Sequence, residues 1–244
     1  MRSQREVGLD LSEDARRKFA AVSTATLTSV LMKRGFRNAF IGGVHMINRD
    51  APRMVGPAFT LRYIPAREDI DQTSAFEGRK HPQRVAVETC PPGHVMVIDS
   101  RKDASAASAG GILVTRLFKR GVAGVVTDGG FRDTPDIEKL PFPAYHSRPS
   151  APTNLIRHHA LDVNNPIGCG DVPVYPGDII VGDGEGVVVV PAHLATEVAD
   201  EAYEQTLFED FVQEKVMAGA MTFGLYPPEA EAKAEYAAWR AAKG

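Results

Sequence analysis

Apolar residues recur at helical spacing near the start of the chain. Between Ser12 and about Arg34, residues Phe19, Val22, Leu27, Val30 and Leu31 fall near one helix face. Ser12, followed by Glu13 and Asp14, supplies an N-cap with acids in the first turn, and Gly35 suits the position just past the end. Residues 38–53 read as loop and short irregular structure. Met54–Ile64 is β-rich, with Gly56-Pro57 marking a bulge or a sheet edge. His94–Asp99 and Val122–Thr127 are short apolar runs of the kind buried strands show. Ala104–Arg120 between them reads as a glycine-interrupted helix, so the three segments predict a βαβ unit with a parallel strand pair. Val172–Val174, Ile179–Val181 and Val187–Val190, separated by Pro-Gly and Gly-Asp-Gly turns, predict an antiparallel, hairpin-rich section. Ala192 to about Met217 predicts a long helix. Glu229–Ala242 predicts another, packed on a neighbouring subunit or lying loosely on the surface. With no repeat, low-complexity tract or linker, residues 1–244 read as a single α/β domain with helical ends.

Composition acts mainly by exclusion. Among 244 residues, 28 Lys+Arg stand against 31 Asp+Glu, a formal charge of −3, so no chain-wide electrostatic drive toward nucleic acid exists. No apolar run approaches the roughly 18 residues of a membrane span. The first residues hold no apolar stretch resembling a secretory signal. Two cysteines, Cys90 and Cys169, rule out a disulfide scaffold and a cysteine-only metal site, and fit a cytoplasmic, reducing location.

The most informative stretch is Thr127-Asp128-Gly129-Gly130-Phe131-Arg132-Asp133-Thr134-Pro135-Asp136. It follows the carboxyl end of a predicted parallel strand, where α/β folds place ligand sites. Gly129-Gly130 permits a sharp turn or close approach to a ligand. Arg132 offers a planar fork for a carboxylate, and Asp133 offers hard oxygen for Mg²⁺ or Mn²⁺. An Arg beside a cation suits an α-keto acid. The same residues also suit an ordinary turn in which Asp133 caps the next short helix. Upstream, the small residues of Ala104–Ile112 open a helix whose first amides favour an anion, or else simply pack closely on a strand.

These residues resemble the RraA-like family, which includes class II 4-hydroxy-4-methyl-2-oxoglutarate / 4-carboxy-4-hydroxy-2-oxoadipate aldolases and regulators of ribonuclease E. The aldolase signature, Gly, twenty residues, Arg-Asp, two residues, acid, is matched by Gly111, Arg132-Asp133 and Asp136. Val22-Ser23-Thr24-Ala25, the strand from Gly121 to Gly129, Pro176-Gly177-Asp178 and Gly182–Val187 with Pro191 resemble further family segments. The resemblance covers about residues 15–220 and leaves the helical tail, about 221–244, outside.

The resemblance implies a swivelling β/β/α fold and a homotrimer or a hexamer of two trimers, with the pocket between subunits. It implies Asp133 as direct metal ligand with waters and Asp136 completing the motif, through water. Arg132 would bind the pyruvoyl group and stabilise its enolate. The backbone at Gly110, Gly111, Ile112 and Leu113 would hold the pyruvate carboxylate, and Glu209 would reach a neighbouring subunit's site through waters. The implied activity is a Mg²⁺- or Mn²⁺-dependent lyase that releases pyruvate from a 4-hydroxy-2-oxo acid and decarboxylates oxaloacetate. The chain departs from the family at Gly111, where the aldolases usually carry an acid, and at Ser29, where they carry Asp. A non-enzymatic regulator on the same fold and a lyase for another keto acid are the rival readings.

Other candidates read blandly. His146 and His158-His159 lack zinc-ligand spacing and read as surface histidines. Cys90 reads as a structural thiol. Lys102 reads as too highly charged in its surroundings for Schiff-base chemistry. The Gly182–Gly186 segment reads as a tight turn. The stripe Leu207, Phe208, Phe211 and Val212 reads as core or subunit contact.

Overall fold

The computed structural model describes residues 11–243. Ser12 caps α1 (Glu13–Ala21) by accepting from the Ala15 amide, and Phe19 is buried beneath it. The expected single helix to Arg34 is broken. Val22 is extended and its carbonyl is taken by the Arg53 guanidinium, while Ser23 caps a second helix, α2 (Thr24–Lys33). Asp183 fixes the break by accepting from both the amide and the hydroxyl of Thr24, each at 2.8 Å. Gly35 ends α2 at φ +89°, as expected.

The irregular stretch 38–53 contains two short strands, β1 (Phe40–Ile41) and β2 (His45–Met46). The long β3 (Met54–Pro65) follows, then α3 (Pro82–Thr89) and β4 (Val95–Asp99). Next come β5 (Ala107–Ala109), α4 (Gly111–Lys119), β6 (Gly124–Thr127) and β7 (Gly130–Phe131). The chain continues through the short α5 (Thr134–Ile137), β8 (Ala144–His146), β9 (Arg148–Pro149), β10 (His158–Val163) and β11 (Ile167–Cys169). The valine-rich β12 (Val172–Val174), β13 (Ile179–Gly182) and β14 (Val187–Val190) precede α6 (Ala195–Met217) and α7 (Ala230–Lys243).

The main sheet runs β1-β14-β13-β3-β4-β6-β8-β2. β3, β4, β6 and β8 are parallel, as the βαβ pattern predicts, and β14-β13-β3 are antiparallel. Gly56-Pro57 lies inside β3, where the strand pairs with β13 up to Pro57 and with β4 from Ala58, so it marks a change of partner and not an edge. A Cβ on Gly56 would lie 2.4 Å from the Gly93 carbonyl, which is why this crossing needs glycine.

Alternation along the strands sorts the core. Val95, Val97, Ile180, Val187 and Val189 face the inside of the curled sheet with Met54 and Tyr145. Their neighbours Ile179, Val181, Val188 and Val190 face α1, α2 and α6. Met96 and Ile98 face α3 and α4. The result is the mixed α/β, swivelling β/β/α architecture expected. No helix among the described residues is long and apolar enough to cross a membrane.

Candidate active site: the cleft at the start of α4

The segment expected to begin a helix at Ala104 instead runs extended as β5. Its Ser108 is fully buried, with the hydroxyl 2.7 Å from both the Ser100 and Thr127 hydroxyls and the carbonyl accepting from Tyr63 Oη and Gln83 Nε2. Satisfying these buried groups overrides the helix propensity of the alanines. The helix therefore starts only at Gly111.

β5 pairs in parallel with β7, Ala109 opposite Phe131. Parallel strands in register leave in the same direction, so Gly110-Gly111 and Arg132-Asp133 emerge side by side although far apart in sequence. The Arg132 amide donates to the Ala109 carbonyl, 3.1 Å. Asp133 takes φ +60°, which turns its carboxylate onto the helix start, where Oδ2 accepts from the Gly111 amide at 3.1 Å. Arg132 Nε lies 3.6 Å from the same oxygen. Asp133 occupies the N-cap position of α5 but makes no side-chain cap there, so capping α5 does not explain this residue.

The two glycines make the approach possible. A Cβ on Gly110 would stand 2.8 Å from Arg132 Cγ and 2.9 Å from Asp133 Oδ2, and one on Gly111 would stand 3.1 Å from Asp133 Cβ. Of the first amides of α4, Gly111 donates to Asp133, and Leu113 and Val114 donate to the Gly110 carbonyl. The Ile112 amide has no partner among the described residues. A helix start with a free amide beside a guanidinium is a place for an anion.

The backbone bends at Asp128-Gly129, as the glycine pair allows. A Cβ on Gly129 would meet Ser100 Cβ at 2.6 Å and one on Gly130 would meet Ser150 Cβ at 2.7 Å, so both glycines serve close packing. The three carboxylates of the loop separate in role. Asp128 is buried and accepts from the amides of Ser100, Lys102 and Gly170, and burial raises its pKa above the usual carboxylate range against those three bonds. Asp136 is exposed and pairs with Lys139 at 2.9 Å. Only Asp133 faces the cleft.

The cleft measures about 280 Å³ and is lined by Gly110, Ile112, Leu113, Arg132 and Asp133 as expected. Phe76, Gln83, Arg84, Thr153 and Asn154 also line it, and sequence reasoning missed them. They come from a 3₁₀ turn, the start of α3 and a second 3₁₀ turn, segments with no motif. Pro82 at the start of α3 was the one available signal, since it places Gln83 and Arg84 in a helix's first turn. Glu209 is not in this cleft. It lies on α6 and is held by Thr26 Oγ1 at 2.8 Å and Gln205 Nε2 at 3.0 Å, so one chain alone does not bring it to Asp133.

The remaining candidates resolve. Lys102 pairs with Asp171 at 2.5 Å on the surface, outside the cleft. His146 and His158 are buried, contrary to the surface reading, and burial lowers both, His146 to about 4. His158 stacks on Tyr63 and sits 3.2 Å from the Ala106 carbonyl, and His159 pairs with Asp71. Cys90 is buried and its thiol is pushed up to about 12 by desolvation, which fits a structural role. Gly182 belongs to β13, and Asp183 in the turn after it accepts from the Thr24 amide and hydroxyl at the helix break described above. Phe208 and Phe211 pack against Tyr236, and Phe211 also against Trp239, so α7 docks on α6 of its own chain and is not loose.

Among the described residues no group of three His, Cys, Asp or Glu side chains stands ready to hold a metal. Mg²⁺ is commonly held by one or two carboxylates, waters and substrate oxygens, and Asp133 fits that mode.

A relative in Halalkalibacterium halodurans, named "Putative 4-hydroxy-4-methyl-2-oxoglutarate aldolase", is 33% identical over 135 residues, 55% of this chain and 64% of that protein. The chain thus spans just under two thirds of that relative's length. The crystal structure of Streptomyces coelicolor RraAS2, described as an unusual member of the RNase ES inhibitor RraA protein family, superposes with TM-score 0.73 at 28% identity. The match covers 83% of this chain and 96% of that one. A protein from Pseudomonas syringae pv. tomato shares the fold, with TM-score 0.76 at 24% identity over 87% of this chain and 92% of that one. Residues 19–189 match the RraA-like family, Aldolase/RraA, and the chain belongs to that family.

Proposed function

We propose that the protein is a divalent-metal-dependent lyase that cleaves a 4-hydroxy-2-oxo acid, of the 4-hydroxy-4-methyl-2-oxoglutarate type, to pyruvate and a second keto acid. Decarboxylation of oxaloacetate follows from the same chemistry. The observation that carries the reading is the convergence of Arg132, Asp133 and the free Ile112 amide in one cleft. The name of the Halalkalibacterium relative supports it.

The substrate's 2-oxo acid end fits between the Arg132 guanidinium and the start of α4, where the carboxylate accepts from the Ile112 amide and is favoured by the helix end. Asp133 would hold Mg²⁺ or Mn²⁺, and the bound ion would polarise the 2-oxo group; Asp136, paired with Lys139 outside the cleft lining, takes no part. The C4 hydroxyl proton passes to water in the cleft, and C4–O becomes the carbonyl of the second keto acid as the C3–C4 bond breaks. The bond's electron pair moves onto the pyruvoyl fragment as its enolate, and water supplies the proton that C3 takes back. Arg132 balances the charge that develops on the pyruvoyl oxygen, and protonation at C3 releases pyruvate. Preorganisation comes from the Gly111–Asp133 bond, which fixes the carboxylate before substrate arrives. A homotrimer or hexamer would bring Glu209 of a neighbouring copy toward the cleft.

The test is pyruvate release coupled to lactate dehydrogenase, with 4-hydroxy-4-methyl-2-oxoglutarate and with oxaloacetate, in Mg²⁺, Mn²⁺ and EDTA. Metal-dependent turnover lost in Asp133→Ala is the expected result. No turnover, together with no binding of pyruvate, overturns the reading in favour of a binding protein like the inhibitors on this fold.

A further inference from the structure

Arg84 lines the same cleft as Arg132 and is exposed. Its guanidinium lies over the Phe76 ring, 5.0 Å from the centroid. It makes no ion pair among the described residues. The acid at helical spacing from it, Glu88, is taken by Arg116 at 2.8 Å. Asp71 is taken by His159. Arg84 is therefore a cation with no ion-pair partner among the described residues, seated on an aromatic face that steadies its planar fork.

The cleft thus holds two guanidinium groups and a single carboxylate, Asp133. On the lyase reading, one 2-oxo acid end would take Arg132 and the helix start. Asn154 in the same lining is buried, 5% exposed, and its amide nitrogen has no hydrogen-bond partner, so the lining retains unspent donor capacity.

We propose that Arg84 selects the far end of the substrate by pairing with a second carboxylate, and that Phe76 positions it. This rests on the lyase reading of the cleft. It makes Arg84 the residue that reads the far carboxylate of the dicarboxylate already proposed as substrate. The pairing is partly solvated, so its strength falls with salt.

The experiment compares two five-carbon acids that lack the 4-hydroxyl and cannot be cleaved, 2-oxoglutarate and 2-oxopentanoate, which differ only at the far end. Binding to the full chain is measured by titration calorimetry in Mg²⁺ buffer for wild type, Arg84→Gln, Arg84→Lys and Phe76→Leu. Wild type is expected to prefer 2-oxoglutarate by about tenfold, the scale of one charge-assisted pair at a solvated site. Arg84→Gln is expected to erase that preference while moving 2-oxopentanoate by less than about twofold. Arg84→Lys should keep part of it, and Phe76→Leu should reduce it without removing it.

A wild type that binds both acids equally overturns the Arg84 proposal and leaves the lyase reading standing. Equal loss of both acids in Arg84→Gln, or loss of neither, does the same. Binding of neither acid by wild type overturns the lyase reading and the Arg84 proposal with it.

Discussion

The Asp133 carboxylate accepts the amide of Gly111, 22 residues earlier, at 3.1 Å. One bond thus joins the two ends of the motif, tying the loop after β7 to the first turn of α4. It also makes Asp133 do two things, which substitutions can separate. Asparagine keeps an acceptor oxygen and tolerates φ +60°, whereas alanine loses the acceptor and strains the backbone. Asp133→Asn should keep stability within about 0.5 kcal/mol, and Asp133→Ala should lose about 1–2 kcal/mol in urea unfolding. Both should lack metal-dependent pyruvate release. A fully active Asp133→Asn would remove the carboxylate from the chemistry.

Gly110→Ala tests the close approach. Gly110 has φ −121°, so alanine is not strained there, and the atoms its Cβ meets first belong to Arg132 and Asp133. Pyruvate release should fall by about 10- to 100-fold, as for a displacement of catalytic groups by up to an ångström. The thermal midpoint should move by only a few degrees. Unchanged kinetics would show that the two side chains shift aside without consequence.

Glu209 is remote from Asp133 within one chain, so its part in the chemistry requires a shared site. Asp133→Ala and Glu209→Ala should each be inactive, and co-expressed subunits should recover roughly a quarter of wild-type activity through sites built from one intact half of each. Mixtures that stay inactive, although mixed oligomers form, would exclude Glu209 from a neighbour's cleft.

His146 should make the fold acid-sensitive. Burial lowers its pKa to about 4, so the native state disfavours the protonated ring. Between about pH 6.5, where an unfolded histidine titrates, and about 4, the unfolded chain binds a proton that the native chain does not, and stability falls as pH falls. His146 stacks near Phe131, and Nδ1 has no hydrogen-bond partner, so phenylalanine sacrifices little. His146→Phe should flatten the dependence of the midpoint on pH in that window. An unaltered slope would assign the sensitivity to other groups, such as His81 and His158, which burial also lowers.

Trp239 is the single tryptophan, and it lies on α7 in a small apolar cluster separate from the main core, donating to Glu214 at 2.7 Å. A satellite cluster has fewer partners to lose than the core and opens at lower cost. Tryptophan fluorescence should therefore shift at lower urea than the circular dichroism of the whole chain. Coincident transitions would show that α7 unfolds with the domain.

Local pattern carried much of this. The βαβ unit, the valine hairpins, the Ser12 cap, the Gly35 stop and the long α6 follow from periodicity and turn residues, which act within a few positions of themselves. The pairing of Arg132 with Asp133 as candidate chemistry was also legible, because spacing and residue type are properties of the chain.

What local pattern could not reach are choices made by distant partners. The first helix breaks at Val22 because Arg53 takes the carbonyl and Asp183 takes Thr24. Ala107–Ala109 is a strand because Tyr63 and Gln83 donate to Ser108 and its hydroxyl joins Ser100 and Thr127. Gly129 and Gly130 serve packing because serines stand behind them, and Phe76, Arg84 and Asn154 enter the cleft only through the closure of the fold. The sequence by itself determined the repeating strands, the long late helix and the residue types available to a site. The tertiary structure decided where helices stop and what shares a cleft, because buried polar groups must find partners wherever the chain can supply them.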